Sequence, residues 1–211
     1  MKLNPEVVAY WYFRLNGFFT FQNFILHPDR GAEQHTDADI LGIRFPHRSE
    51  LFLKPMTDEK IFTQIADVPF IVIVEVKKGR CNLNGAWTNP GLNNIQRVLR
   101  AVGAIPIDDI ESVSSRVYDQ GYYRDGLYYI SLCCIGNDID NDMQSKYPDI
   151  PQIIWNDALQ FIFKRFKTYR SQKGKHEQWD ESGHVIWKCA AFSETEDEFI
   201  KSIKKLWMVL K

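Results

Sequence analysis

The alternation of apolar and polar residues divides the chain into helices and strands in a readable order. Asn4-Pro5-Glu6 has the chemistry of a helix start, with a capping side chain, a proline at the first helical position and an acid in the first turn. Val7, Val8, Trp11, Tyr12 and Leu15 follow at helical spacing, and Asn16-Gly17 ends the helix. Residues 18–26 are rich in phenylalanine and predict a strand, and residues 27–31 a turn. A second strand is expected over 37–45, stopped by Pro46, then a polar connection over 48–67 with a short helix. Phe70, Ile71, Val72, Ile73, Val74 and Val76, between Pro69 and Gly79, read as a buried strand.

Residues 82–90 predict a loop holding Trp87. Asn89-Pro90 opens a helix through Ile95, Val98, Leu99 and Val102 that Gly103 closes, and Asp108 or Asp109 caps another to about Tyr118. A turn over 121–126, a strand over 127–135 and an acidic linker over 138–151 come next. A long helix is expected over 153–170, a charged loop over 171–183, a strand over 185–190, and a final helix from the capping box at Thr195 to Val209. These expectations define an α/β protein with a central mixed sheet, in the order helix, three strands, helix, strand. Residues 1–136 form the expected core, and 137–211 a C-terminal helical extension packed on the same domain.

The buried strand carries charge near its end. Ionised groups in a low dielectric cost several kcal/mol unless paired or bound to metal, yet Glu75 and Lys77 sit there. Side chains of a strand repeat every two residues, so both point to one face. Upstream, the strand over 37–45 opens with Asp37 and Asp39. Taken alone, Glu75 and Lys77 could be an ordinary strand-end pair worth under about 1 kcal/mol.

Asp39-Ile-Leu-Gly followed by Glu75-Val-Lys77, in that order of elements, resembles the PD-(D/E)XK nuclease superfamily, the restriction-endonuclease-like fold. Ala38 stands where the family name has proline, and the likeness covers roughly residues 4–136. It implies a metal-dependent nuclease acting on nucleic acid, with DNA the expected substrate. Asp39, Glu75 and the backbone carbonyl of Val76 would hold Mg²⁺ or Mn²⁺, and Lys77 would orient the attacking water or stabilise the transition state. Glu6 and Asp37 become candidate accessory acids. Gln96 and Arg100, one turn apart on the following helix, become candidate contacts to the site or the phosphate. The pattern there is Gln-X-X-X-Arg rather than the Gln-X-X-X-Tyr of one branch. The alternative is a nuclease-like module that binds nucleic acid or a protein partner without cutting.

Lys164, Arg165, Lys167, Arg170, Lys173 and Lys175 form a run without acids, interleaved with Phe166 and Tyr169. The first four are the candidate nucleic-acid contacts, weighed against the solvated side of an amphipathic helix. Composition adds little: 211 residues, 45% hydrophobic, with a net charge of −1, suit one sizeable core and favour no particular partner. A homodimer or larger complex is compatible with the sequence. Cys81, Cys133, Cys134 and Cys189 make no CxxC pair, so a reduced cytoplasmic protein is expected. The five histidines lack metal-ligand spacing, and no phosphate loop, nucleophile elbow or dinucleotide glycine pattern is present. No signal peptide or membrane span is expected.

Overall fold

The strand that carries Glu75 lies inside a sheet whose two faces are both covered by helices. The structure is a computed structural model that describes residues 3–31, 36–53, 55, 57–174 and 180–208. His35, Lys175 and His176 lie outside the described residues. Helix α1 (Pro5–Leu15) leads into β1 (Phe19–Leu26) and β2 (Thr36–Arg44). The short α2 (Lys60–Thr63) precedes β3 (Phe70–Val76), which is followed by α3 (Gly85–Thr88), α4 (Asn94–Val102) and α5 (Ile110–Gln120). Then come β4 (Tyr122–Arg124), β5 (Tyr129–Gly136), α6 (Asn141–Lys146), β6 (Gln152–Ile154), α7 (Trp155–Thr168), α8 (Arg170–Gly174), α9 (Glu181–Phe192) and α10 (Glu196–Met208).

The sheet order is β1-β2-β3-β5-β4, with β6 also on β5. β2 runs antiparallel to β1 and β3, while β5 lies parallel to β3. A parallel neighbour needs a crossover, and α4 and α5 supply it. Helices α1, α7, α9 and α10 build one core with Val72, Val74 and Cys133. Trp87, α4, α5 and α6 build the other with Ile71, Ile73 and Cys134. The adjacent Cys133 and Cys134 thus face opposite layers, as the two-residue period requires. Residues 137–211 contribute β6 to the sheet and α7 to the core of α1.

Several elements differ from the sequence expectations. Residues 122–124, read as part of a turn, pair with Tyr129–Ser131 as the edge strand β4. The linker over 138–151 contains α6, capped by Asp140. Pro90–Leu92 is a separate 3₁₀ turn, because Asn93 takes a left-handed φ of 54° before α4 begins. Residues 171–174 and 181–183, read as loop, belong to α8 and α9. Residues 185–190, expected as a strand, lie within α9: Asp180 caps it, and Gly183, Ile186 and Ala190 are buried at helical spacing. Among the described residues no helix is long and apolar enough to cross a membrane.

Candidate functional site

Lys77 follows β3 directly and is fixed through its backbone. Its N–H donates to the Ile135 carbonyl (2.8 Å), and its own carbonyl accepts from Trp155 Nε1 (2.8 Å). The chain then folds against the end of β5, where Asn137 N–H donates to Gly79 O (2.7 Å). This approach requires glycine at 136, since a Cβ there would lie 2.7 Å from the Gly79 carbonyl oxygen.

Glu75 is buried and held by three donors. Lys77 Nζ donates to its Oε1 (2.6 Å) and to Asn84 Oδ1 (2.7 Å). Asn84 Nδ2 donates to the same Oε1, and Trp87 Nε1 to Oε2 (2.8 Å). Burial pushes the Glu75 carboxyl above its ordinary range, against the Lys77 hydrogen bond and charge, and Asp39 pushes it further. Each donor therefore compensates a carboxylate that the fold has removed from water.

Asp39 arrives from β2. The register Ile40↔Val74, Leu41↔Ile73 carries position 39 opposite position 75. Its Oδ2 accepts from Val76 N–H (2.6 Å). Burial raises its carboxyl, with the Val76 bond opposing and the Asp37 charge adding. The strand is twisted at this point. Asn23, between the pairs Gln22↔Ile40 and Phe24↔Ala38, has a φ of 50°. Across it the packing parity changes: Ile40 belongs to the α1 layer and Ala38 to the α4 layer. Position 39 thereby stands at the switch, within reach of both layers.

Glu6 comes from the α1 layer. It bonds its own capping residue, accepting from Asn4 Nδ2 (3.0 Å). Burial and the charge of Asp39 raise its carboxyl, with Asp37 contributing. Asp39 thus raises both Glu6 and Glu75, and the Asp37 charge acts on Glu6 and Asp39, with Lys77 and Lys78 nearby. Among the described residues no three His, Cys, Asp or Glu side chains are gathered tightly enough to hold a metal ion as they stand.

Gln96 and Arg100 share one shallow depression, on the side of α4 that faces Asp29. Gln96 Nε2 donates to Asn93 Oδ1 (3.2 Å), and the neighbouring Arg97 pairs with Asp29 (2.9 Å). Neither Gln96 nor Arg100 hydrogen-bonds Asp39, Glu75 or Lys77. The basic run is divided. Arg165 is turned inward, donating from Nη2 to Thr57 O (2.6 Å) and Asp58 Oδ1 (2.9 Å) with 2% of its side chain exposed. It cannot track a phosphate backbone, and that expectation is corrected. Lys164 is exposed near Glu196 (3.5 Å), while Lys167 and Arg170 line a depression beside Trp187.

Asn84 and Trp87 escaped the sequence reading as site residues, although Trp87 stood out in its loop. They sit on and just before the single-turn α3, within the span read as loop, which is too short to show a period, and their partner Glu75 is 9 and 12 positions away. Comparison with protein-family models, with curated proteins and with solved structures found no match.

Proposed function

We propose that the chain is a metal-dependent nuclease built on a restriction-endonuclease-like core. One observation carries the reading: Asp39 is brought opposite Glu75, with the Lys77 ammonium on that carboxylate, at the end of an otherwise apolar buried strand. The order α1, β1–β3, α4, β5, with β5 parallel to β3, agrees with that core.

The donor set fits a hard divalent cation. It is all oxygen, among the described residues Asp39 Oδ1 has no hydrogen-bond partner, and both carboxyls are raised by burial, with the charge of Asp37 adding at Asp39 and that of Asp39 at Glu75, which a cation would offset. Mg²⁺ or Mn²⁺ held by Asp39, Glu75 and the Val76 carbonyl would supply Lewis-acid polarisation and a more acidic water. Lys77, clamped at its backbone, would offer a positive charge to the negative charge that a scissile phosphate gains. Asn84 and Trp87 orient Glu75.

A second reading is favoured by a specific feature. Glu75 is fully engaged by Lys77, Asn84 and Trp87, which is how a nuclease-like module that binds without cutting would neutralise a buried acid. A cleavage assay on DNA and RNA with Mg²⁺, repeated with chelator and with Lys77→Ala, separates the two. Chelator-sensitive cutting that Lys77→Ala abolishes is the expected result. Nucleic-acid binding with no cutting in either metal would leave the second reading.

A further inference from the structure

The opposite end of α1 and β1 carries a cavity of about 580 Å³ that the acidic cluster does not use. Three phenyl rings on its rim face water: Phe19 is 68% exposed, Phe21 61% and Phe45 54%. Its lining is cationic, with Arg14, Arg48 and Lys173 against Glu50, the one acid among the described residues that line it. Arg48 lies across the backbone at Gly17, where φ is 84° and a Cβ would fall 2.1 Å from the Arg48 Cδ. That glycine clears the place the guanidinium occupies.

We infer that this cavity receives an unstacked base and its adjoining phosphate from a single-stranded stretch of nucleic acid. The charge balance asks for an anion. Of the cations that line the cavity, Arg48 shares Glu50 and Asp58, Lys173 shares the same Glu50, and among the described residues Arg14 makes no ion pair, its guanidinium bonding only the Tyr10 hydroxyl (2.9 Å). Burial lowers the affinity of Lys173 for its proton despite Glu50, with Arg165 and Arg48 adding to the effect, so a phosphate beside it would favour its charged form. The rings ask for a flat apolar partner, and a base offers one only when it is not stacked in a duplex. A second copy of this chain suits the rings but would set the same cations against themselves across a two-fold axis.

Position also favours a strand. Glu6 and Arg14 are eight residues apart on α1, about 12 Å at 1.5 Å per residue. That is a span a few nucleotides of single strand can cover. The inference names a substrate contact and in that respect rests on the nuclease reading, but its test reads binding alone.

Anisotropy of a short fluorescein-labelled oligothymidylate should be measured in EDTA, where no cutting occurs. Phe19→Ser/Phe21→Ser should weaken binding about tenfold or more. Arg14→Gln should flatten the slope of log K against log salt by about 0.7. An oligonucleotide with abasic positions should bind both forms of the rim alike, and thymidine monophosphate should compete only weakly. If the double variant lowers the urea midpoint, Phe45→Ser on the same rim replaces it. Unchanged affinity and salt slope in natively folded variants, or no binding by the unaltered chain, overturns the inference. So does equal competition by the monophosphate, which would make this a free-nucleotide site. Loss of self-association with unaltered affinity would make the rim an interface between copies. Cleavage that persists while the rim variants bind normally would sink this inference and leave the nuclease reading intact; binding through the rim without cleavage would do the reverse.

Discussion

Asp58→Asn should be among the most damaging single changes in this chain. The Asp58 carboxylate, 4% exposed, accepts from Arg44 Nη2 (2.9 Å), Arg48 Nη1 (2.8 Å) and Arg165 Nη2 (2.9 Å). These come from the end of β2, the following loop and α7, so one side chain ties three segments together. Removing one partner of a buried ion pair costs about 3–5 kcal/mol, because the other charge stays buried and uncompensated. Here three guanidinium groups lose it together, and among the described residues Arg165 Nη1 already lacks a hydrogen-bond partner. Arg44 keeps Asn16 O (3.0 Å) and Arg165 keeps Thr57 O (2.6 Å), so the loss should stay near the top of that range rather than triple it. For a chain of this length it corresponds to a fall in Tm of roughly 10–20 °C. Thermal unfolding followed by circular dichroism measures it. Asp67→Asn, which breaks a solvent-exposed pair with Arg124, is the control and should not be resolved. A loss under about 1 kcal/mol for Asp58→Asn would refute the claim that the cluster is buried and mutually dependent.

Three further outcomes follow from the site and its supports. The Asp39 carboxyl is raised above its ordinary value of 3.8 by burial, so the folded chain holds a proton that the unfolded chain releases; in chelator, stability should fall as pH rises from there toward neutrality. Asp39→Asn, which keeps an acceptor for Val76 N–H, should lessen that fall in a Tm-against-pH series, leaving the part due to Glu6 and Glu75, and weaken Mg²⁺ binding by calorimetry; an unchanged fall would mean that Asp39 does not contribute to it. Trp87→Phe removes a donor to a buried carboxylate and should lower the urea unfolding free energy by about 1.5–3 kcal/mol, and an unmoved midpoint would show that Glu75 does not need the indole. Gly183→Ala would place a Cβ 2.1 Å from Trp11 Cζ2, so it should cost about 1–3 kcal/mol in the same assay, whereas a neutral result would argue that α9 does not pack there.

The parts of the fold that local chemistry dictates were visible in the sequence. The Asn4-Pro5 start of α1, the β-branched run of β3 and the parity of Glu75 and Lys77 all stand in the structure. What was not visible depends on partners distant along the chain. Arg165 sits in a run of cations without local acids and reads as a phosphate contact, yet its carboxylate is 107 residues away. Val185-Ile186-Trp187 has strand propensity, but Asp180 begins a helix that packs Ile186 against α1 and α7. Tertiary burial outweighs a six-residue propensity. The residues 122–124 have too little periodicity to declare a strand and acquire one only because the edge of β5 is open to them.

The adjacency of Cys133 and Cys134 gives the molecule two internal clocks one residue apart. Both thiols are buried, one beneath the α1 and α7 layer and the other beneath the α4 and α5 layer. A thiol reagent meets Cys133 only when the first layer lifts and Cys134 only when the second does. Equal labelling rates in native buffer would mean that the two faces of the sheet let go together. Unequal rates would name the face that opens first, and with it the half of the chain, the acid-bearing edge or the crossover, whose motion is cheapest.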